Sequence, residues 1–334
     1  MTTGIKSFQF QDHVLPFLLF SSLLAVGGKY MFGNVEPSGL GDAINEPCKA
    51  LGTSPFKLAY TGINEVDTGI CILVSFFHET ISDPLPKQQL IYYLSTGLIM
   101  GIFIGMESSR NHRGASITSL VAWLLMGQVI SMAGVMPLYC LLFVFKKAYR
   151  QRTRISQTQA ESIIASLVIG GGISTIAMIN LPNTATIVVW QLYPVCMALA
   201  ELIRRFIRPS LPTSKASDSG HKIIQVLLLA HLVGSALYHM TIVWSFKGDL
   251  ELLKLFFIPS LAPVDPAERM GLKVLELLKW DYAIGVVAIM AATLWFASSA
   301  RQVLGLLAFY VFGSPILGPG AATTAVVFWR ETGL

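Results

Sequence analysis

The stretch 275-LELLKWDYAIGVVAIMAATLWFA-297 joins a long apolar run to polar residues at its start. From Tyr282 onward the run suits a membrane-crossing helix, because the hydrocarbon core of a bilayer takes about 20 helical residues. Trp280 and Tyr282 are aromatic residues of the kind that anchor helices at a membrane–water interface. Asp281 stands between them, and an ionisable group close to hydrocarbon is costly and indicates a function.

The composition of the whole chain is that of a membrane protein. Its 334 residues are 53% hydrophobic and only 13% charged, whereas soluble domains carry about 25% charged residues. The net charge of +5 comes from Lys and Arg at the ends of apolar runs. Such clusters set membrane topology. We therefore expect a lipid bilayer as a partner and no nucleic acid.

Nine apolar runs approach the length of a membrane helix. They cover residues 14–32, 63–82, 89–106, 116–145, 159–181, 183–203, 222–246, 280–299 and 302–329. Two alternatives are open for the first run, a spanning helix or an interfacial one, because Lys29 interrupts its end. The last run contains Ser314-Pro315 and Gly318-Pro319-Gly320, so we expect it to be kinked or broken. The sequence thus predicts an all-α fold, a polytopic transmembrane helical bundle of eight to nine membrane helices in one domain over residues 1–334.

The four cysteines predict neither a disulfide framework nor a zinc site. Cys71, Cys140 and Cys196 lie inside apolar runs, without the spacing of metal ligands.

The basic segments 146–154 (KKAYRQRTR) and 204–215 predict the orientation, because Lys and Arg in short loops stay in the cytosol. Counting the predicted crossings onward from these cytosolic segments places 180–183, 247–279 and the C-terminus in the lumen. Counting back places 107–114 in the lumen too, although Arg110 and Arg113 in that loop contradict the rule.

This orientation brings polar side chains from at least five helices to one lumenal level, where we expect the functional site. We predict catalytic roles for Asp67, Glu107 and Asp281. The expected substrate-binding residues are Glu65, Arg110, Asn183, Trp190, Gln191, His239, Trp280, Tyr282, Arg330 and Glu331.

A carboxyl near lipid depth can stay protonated near neutral pH, because desolvation disfavours its charged form and raises its pKa. It can then act as a general acid on an apolar epoxide or alkene, while aromatic faces stabilise the resulting cation. The sequence has no DDxxD-type pair for metal-diphosphate chemistry, and no GxSxG or HExxH motif.

Four segments resemble the fungal integral-membrane terpene cyclases of meroterpenoid pathways, of the ascofuranone and ascochlorin type. They are GINEVDTGICILVSFF (62–77), GMESSR (105–110), LKWDYAIG (278–285) and GPGAATTAVVFWRE (318–331). The resemblance implies an enzyme of the endoplasmic reticulum membrane, without metal or cofactor. It implies that an acid protonates the terminal epoxide of a farnesyl chain on an aromatic head, and that cyclisation ends by proton loss. Asp67, Glu107 and Asp281 are the positions to which this acid–base role is carried over.

Two other functions remain open at this point. A transporter is favoured by the interrupted last helix, since broken helices are typical of carrier sites. A UbiA-like prenyltransferase would need two Asp-rich magnesium motifs, of which Asn64-Glu65-Val66-Asp67 is at best a poor half.

Overall fold

A computed structural model describes residues 10–49, 55–110, 116–151, 153–207 and 216–333 of the chain. All regular secondary structure in these residues is helical. Seven helices are long and apolar enough to cross a membrane, and a bent helix pair raises that number to eight. The predicted all-α polytopic helical bundle is therefore confirmed, and α1 below is one of the seven candidate spans.

The helices are numbered here in chain order. They are α1 (Phe10–Phe32), α2 (Leu40–Asn45), α3 (Asn64–Ser82), α4 (Pro84–Arg110), α5 (Ser116–Phe145), α6 (Gln157–Asn180), α7 (Thr184–Gln191), α8 (Tyr193–Ile207), α9 (Ala216–Ser245), α10 (Leu250–Phe257), α11 (Met270–Phe296), α12 (Ala300–Leu317) and α13 (Pro319–Thr332).

Helix α5 is a hairpin rather than one straight span. Ser131 has φ 61° and ψ 172°, which breaks the helix between an arm at 116–130 and an arm at 132–145. The rings of Trp123 and Tyr139 lie 5.4 Å apart, whereas sixteen residues of continuous helix would separate them by about 24 Å. The prediction of a single crossing over 116–145 is therefore wrong. Length and composition alone place α5 among the seven candidate spans, but the chain turns back at Ser131. Apolar composition alone does not show the turn.

The last apolar run is also a hairpin. The chain turns back at Gly318, which has φ 89°, and α13 then runs antiparallel to α12. Tyr310 of α12 packs on Ala322 and Val326 of α13. The break expected in the run 302–329 is present, but it separates two packed helices rather than kinking one span.

Contacts with the segment 146–154 define one end of the bundle, which we call the basic end. Lys147 pairs with Asp12 at the start of α1, with 3.0 Å between Nζ and Oδ2. Arg110, at the end of α4, donates to the Thr153 carbonyl. Arg330, near the end of α13, donates to the Gln151 carbonyl at 2.9 Å. The start of α1 and the ends of α4 and α13 thus lie together.

The opposite end carries a cap, which we define as the described residues of 33–83 and 246–269. Helix α1 runs away from the basic end and α4 runs back to it, so the described residues between them lie on the cap side. This segment includes α3, which the sequence predicted as a crossing over 63–82 and which is absent from the candidate spans.

A disulfide joins Cys48 to Cys71 within the cap, with their Cα atoms 5.8 Å apart. The sequence predicted no disulfide framework, and the structure has this one disulfide among the described residues. Cys71 lies in an apolar run, but that run belongs to the cap helix α3.

The hairpin α5 also changes the predicted orientation. Because both arms open at the basic end, Arg110 lies on the same side as 146–154 and no longer contradicts the positive-inside rule. The C-terminal helix α13 ends on that side as well, which overturns the predicted lumenal C-terminus. Arg113 lies outside the described residues.

Candidate active site

Asp281 meets the tip of the α5 hairpin. The sequence placed this residue at the start of its helix, but α11 begins at Met270 and Asp281 lies well inside it. Its Oδ1 accepts the Ala133 N–H at 2.6 Å, and the Met132 N–H and Ser131 hydroxyl also face the carboxyl. These groups are the free donors at the start of the second α5 arm, so Asp281 caps that arm from a neighbouring helix.

Tyr93 of α4 holds the other carboxyl oxygen. Its hydroxyl lies 2.9 Å from Oδ2 of Asp281. Oδ1 must accept from a backbone N–H, whereas a hydroxyl partner is able to donate or accept. A proton on Asp281 therefore belongs on Oδ2, where Tyr93 accommodates both protonation states. Asp281 keeps part of its surface accessible, while Tyr93 is buried.

An aromatic wall formed by Phe77, Trp190 and Tyr193 stands near this carboxyl. Tyr193 bonds with Gln128 of the first α5 arm and lies within electrostatic reach of Asp281. Ring centroids are 4.6 Å apart for Phe77–Trp190 and 5.6 Å for Trp190–Tyr193. Aromatic faces attract cations, so a wall of this kind suits a reaction that passes through a carbocation.

The tip of the hairpin formed by α12 and α13 contacts α4 and α11, the two helices that carry Tyr93 and Asp281. The Tyr282 hydroxyl lies 2.8 Å from the Thr96 hydroxyl and interacts with the backbone at Gly320. A Cβ at Gly320 would stand 2.2 Å from the Thr96 carbonyl oxygen. Only glycine therefore allows the tip to come this close to α4.

His239 joins that tip to α4. Its Nε2 lies 3.2 Å from the Pro315 carbonyl and its Nδ1 lies 2.8 Å from the Tyr92 hydroxyl. A carbonyl only accepts, so Nε2 carries the proton and Nδ1 accepts from Tyr92. Both ring nitrogens are thus used within the protein, and the predicted substrate-binding residue His239 supports the hairpin.

Trp280 and Tyr282 do not bracket the Asp281 carboxyl, because successive helical side chains point about 100° apart. Trp280 stacks on Tyr30 at 4.9 Å and donates from Nε1 to the Ser260 carbonyl at 2.9 Å. It is buried, with 8% of its surface exposed, and it fastens the cap loop to α11 rather than forming an interfacial belt.

Four of the predicted residues form a separate ionic cluster at the basic end. It consists of Glu107, Arg110, Arg330 and Glu331. Arg110 lies seventeen residues beyond Tyr93 on α4, which is about 25 Å of helix. The expectation that all acids share one level is therefore wrong. The α5 hairpin reverses the side on which Glu107 and Arg110 lie, and the turn at Gly318 reverses the side of Arg330 and Glu331.

Asp67 lies neither beside Asp281 nor in the ionic cluster, and its carboxyl holds a loop of the cap. Its carboxyl accepts from Thr61 N–H at 2.7 Å, from the Thr61 hydroxyl at 2.8 Å and from Gly62 N–H at 3.1 Å. Burial opposes ionisation, but these hydrogen bonds outweigh it and lower the pKa of Asp67 below its usual value. Glu65, two residues earlier, is exposed at the surface.

The remaining two predicted residues, Asn183 and Gln191, lie at opposite ends of helix α7. Asn183 caps α7 by accepting the Thr186 N–H at 3.0 Å, and it is exposed. Gln191, at the other end of α7, is buried and points into the bundle. Asn183 therefore has a structural role, and Gln191 directly follows Trp190 of the aromatic wall in the chain.

Sequence reasoning missed Tyr93, Gln128, Ser131 and Tyr193. The signal for Tyr93 is the pair Tyr92-Tyr93 within an apolar run. The signal for the hairpin is Gly127 and Gly134 on either side of Ser131. A Cβ at either glycine would stand 3.1–3.2 Å from a side chain across the turn, on Met132 and Ile130 respectively.

Within the described ranges, no group of three or more His, Cys, Asp or Glu side chains is arranged to hold a metal ion. Asp67 is directed at its own loop and not toward a second acidic motif.

Comparison with known proteins gives a family and one distant relative. A curated protein of Pyrenophora dematioidea, named terpene cyclase, is 24% identical over 281 residues, which cover 80% of each chain. No solved structure matches the chain. The family profile described as the CtvD domain matches residues 14–334. Because this match covers nearly the whole chain, the protein belongs to the CtvD domain family.

Proposed function

We propose that this membrane protein is a terpene cyclase that opens an epoxide by acid catalysis. The observation that carries the proposal is the Asp281 carboxyl, held between Tyr93 and the α5 hairpin tip beside aromatic rings. The relative named terpene cyclase supports the reaction class. The proposed substrate is an epoxidised farnesyl chain on an aromatic head, as in the ascofuranone type, and the proposed location is the endoplasmic reticulum membrane.

In the first step, Asp281 donates the Oδ2 proton to the epoxide oxygen, and the carbon–oxygen bond breaks. The cation that forms at the more substituted carbon is attacked by the double bonds of the chain, which closes rings. The last cation loses a proton, so the product is an isomer of the substrate. Aromatic faces such as those of Trp190 and Tyr193 stabilise the cations.

The final proton needs a base, for which the sequence suggested Asp67 or Glu107. Asp67 is bonded to its own loop, and Glu107 is paired with Arg110 and Arg330 at the basic end. The proposal therefore no longer assigns the base to either residue. Asp281 is a carboxylate after the first step, and we assign the return of the proton to it.

An apolar groove supports a substrate that arrives from the bilayer. It has a volume of about 710 Å³ and lies between the cap-side ends of α9 and α12. Met240, Val243, Trp244 and Ile316 line it, with Lys247 at its edge. Its volume lies within the range of about 300–1,000 Å³ that drug-sized ligands occupy, and the residues that line it are distinct from those around Asp281.

Asp281→Asn tests the proposal, because it keeps the shape of the side chain and removes the acid. General acid catalysis contributes about 10²–10⁴-fold, so we expect turnover to fall by at least about two orders of magnitude. The measurement is product formation from an epoxyfarnesyl arene in microsomes, normalised to protein amount, with and without magnesium. Glu65→Gln, an exposed carboxyl-to-amide change, is the matched control and should retain full turnover.

Near-normal cyclisation by Asp281→Asn would overturn the assigned role. Activity that requires magnesium would favour a prenyltransferase. A substrate that crosses vesicles unchanged would favour a transporter.

A further inference from the structure

Gln191 is a buried amide without a partner. Only 7% of its surface is exposed, and among the residues that the structure describes, neither Oε1 nor Nε2 has a hydrogen-bond partner. The residue ends α7, where the chain bends by 63° into α8. Buried polar groups are nearly always hydrogen-bonded, so this exception needs an explanation.

The direction of the side chain follows from its helix. Ile187 and Trp190 are buried on the same face of α7, at 0% and 5% exposure, whereas Val189 and Leu192 on the outer face are each 52% exposed. Gln191 therefore points into the bundle and not toward lipid. At membrane depth there is no bulk water to satisfy its amide, which raises the cost of leaving it unpaired.

Trp190 and Tyr193, which lie one residue before and two residues after Gln191 in the chain, belong to the aromatic wall of the candidate active site. Trp190 donates from Nε1 to the Thr175 hydroxyl at 2.9 Å, and Tyr193 bonds with Gln128 near Asp281. The polar atoms of both neighbours are thus engaged. Of Trp190, Gln191 and Tyr193, Gln191 alone has a donor and an acceptor without a partner among the described residues.

The chemistry of the free amide defines what it recognises. A side-chain amide donates from Nε2 and accepts at Oε1, so it pairs with a group that also donates and accepts, such as a hydroxyl. The named neighbours are uncharged, and two of them are aromatic. This surrounding favours a neutral hydroxyl on an apolar or aromatic body over an ionised group.

We infer that Gln191 is a specificity-determining residue, whose amide binds a neutral hydroxyl at the polar end of the substrate beside Trp190 and Tyr193. The inference rests on the proposed function, since it assigns the substrate of that same site. This role places the polar end of the substrate at the bend between α7 and α8.

A binding experiment without turnover tests this. The probes are 2-farnesylphenol and farnesylbenzene, which differ in one hydroxyl and carry no epoxide. The measurement is the Kd of each radiolabelled probe for the full chain in detergent, together with the melting temperature. We expect the wild-type protein to prefer the phenol by about five- to tenfold, the usual effect of one hydrogen bond.

Gln191→Leu should abolish this preference and leave the melting temperature unchanged or higher, because it removes an unpaired buried amide. Gln225→Leu is the matched control, since the Gln225 amide donates to the Glu331 carbonyl at the basic end at 3.3 Å. It should lower the melting temperature and keep the preference. Gln191→Met repeats the test if the leucine variant does not fold.

A preference for the phenol that survives Gln191→Leu would overturn the inference, as would a wild-type protein that binds both probes equally. These outcomes are independent of the proposed reaction. If the wild-type protein binds by this pattern yet does not cyclise the epoxide, the reaction fails and the binding role of Gln191 stands.

Discussion

At the residue scale, the two oxygens of Asp281 have different surroundings. Oδ1 accepts the Ala133 N–H at the α5 tip, and Oδ2 lies against the Tyr93 hydroxyl of α4. Tyr93→Phe removes that partner and keeps the ring. We expect turnover to fall about tenfold, less than in Asp281→Asn, because the acid remains but its proton is no longer positioned. Microsomal turnover and farnesylphenol affinity check this.

The affinity of Tyr93→Phe should equal that of the wild-type protein. Turnover at the wild-type level in this variant would show that Oδ2 is not the oxygen that carries the proton.

The ionic cluster at the basic end concerns stability rather than chemistry. The side chains of Arg110 and Glu331 are 0% exposed and paired. Removing one partner of a buried pair costs about 3–5 kcal/mol, while replacing both by apolar residues costs far less. We expect Arg110→Met and Glu331→Met each to lower the melting temperature in detergent, and the double variant to recover part of the loss. Losses that simply add in the double variant would show that the two side chains are not coupled.

At the element scale, the chain reverses with a positive φ at the tip of each hairpin, at Ser131 in α5 and at Gly318 between α12 and α13. Ser131 adopts a backbone conformation that is essentially limited to glycine. At Gly318 a Cβ would stand 2.8 Å from His239 Cγ. We therefore expect Ser131→Gly to stabilise the protein by about 1 kcal/mol and Gly318→Ala to destabilise it by at least about that amount. Thermal unfolding of the two variants in detergent provides the measurement.

Ser131→Gly also removes a hydroxyl that faces Asp281. A gain in stability with a loss of turnover would mark strain kept for function. A loss of stability in Ser131→Gly would mean that the hydroxyl contacts matter more than the backbone conformation.

At the scale of the whole molecule, two signals agree on orientation. Basic loops gather at one end, which the positive-inside rule places in the cytosol. The Cys48–Cys71 disulfide lies at the other end, and disulfides form in oxidising compartments such as the endoplasmic reticulum lumen. We expect a tag after the C-terminus to be cytosolic, and a glycosylation acceptor inserted in the exposed cap loop near Leu261 to be modified in microsomes.

A tag inserted near residue 150 serves as the control, and it should share the compartment of the C-terminal tag. Placement of these two tags on opposite sides of the membrane would contradict the turn at Gly318, because that turn brings the end of α13 back to the Gln151 carbonyl at the basic end.

The sequence by itself determined the membrane class and the helical fold, and it singled out Asp281, the residue around which the candidate site is proposed. Hydrophobic runs of membrane length and a carboxyl inside one of them are local properties, so they are visible without a structure. Asp281 was found in this way, as were Trp190 and Gln191 beside the aromatic wall. The helix that carries the Asp281 carboxyl can be predicted from its own stretch of sequence, without reference to any other helix.

Only the tertiary structure decided which polar groups meet. A hairpin and a span have the same apolar composition, so the turn at Ser131 was hidden, and with it the side on which Glu107 and Arg110 lie. The break at Gly318 was expected within one span, but it reverses the chain instead, which is why the C-terminus was misplaced. The partnership of Asp281 with Tyr93 joins residues 188 positions apart. Such a contact depends on how helices pack, and no single stretch of sequence contains it.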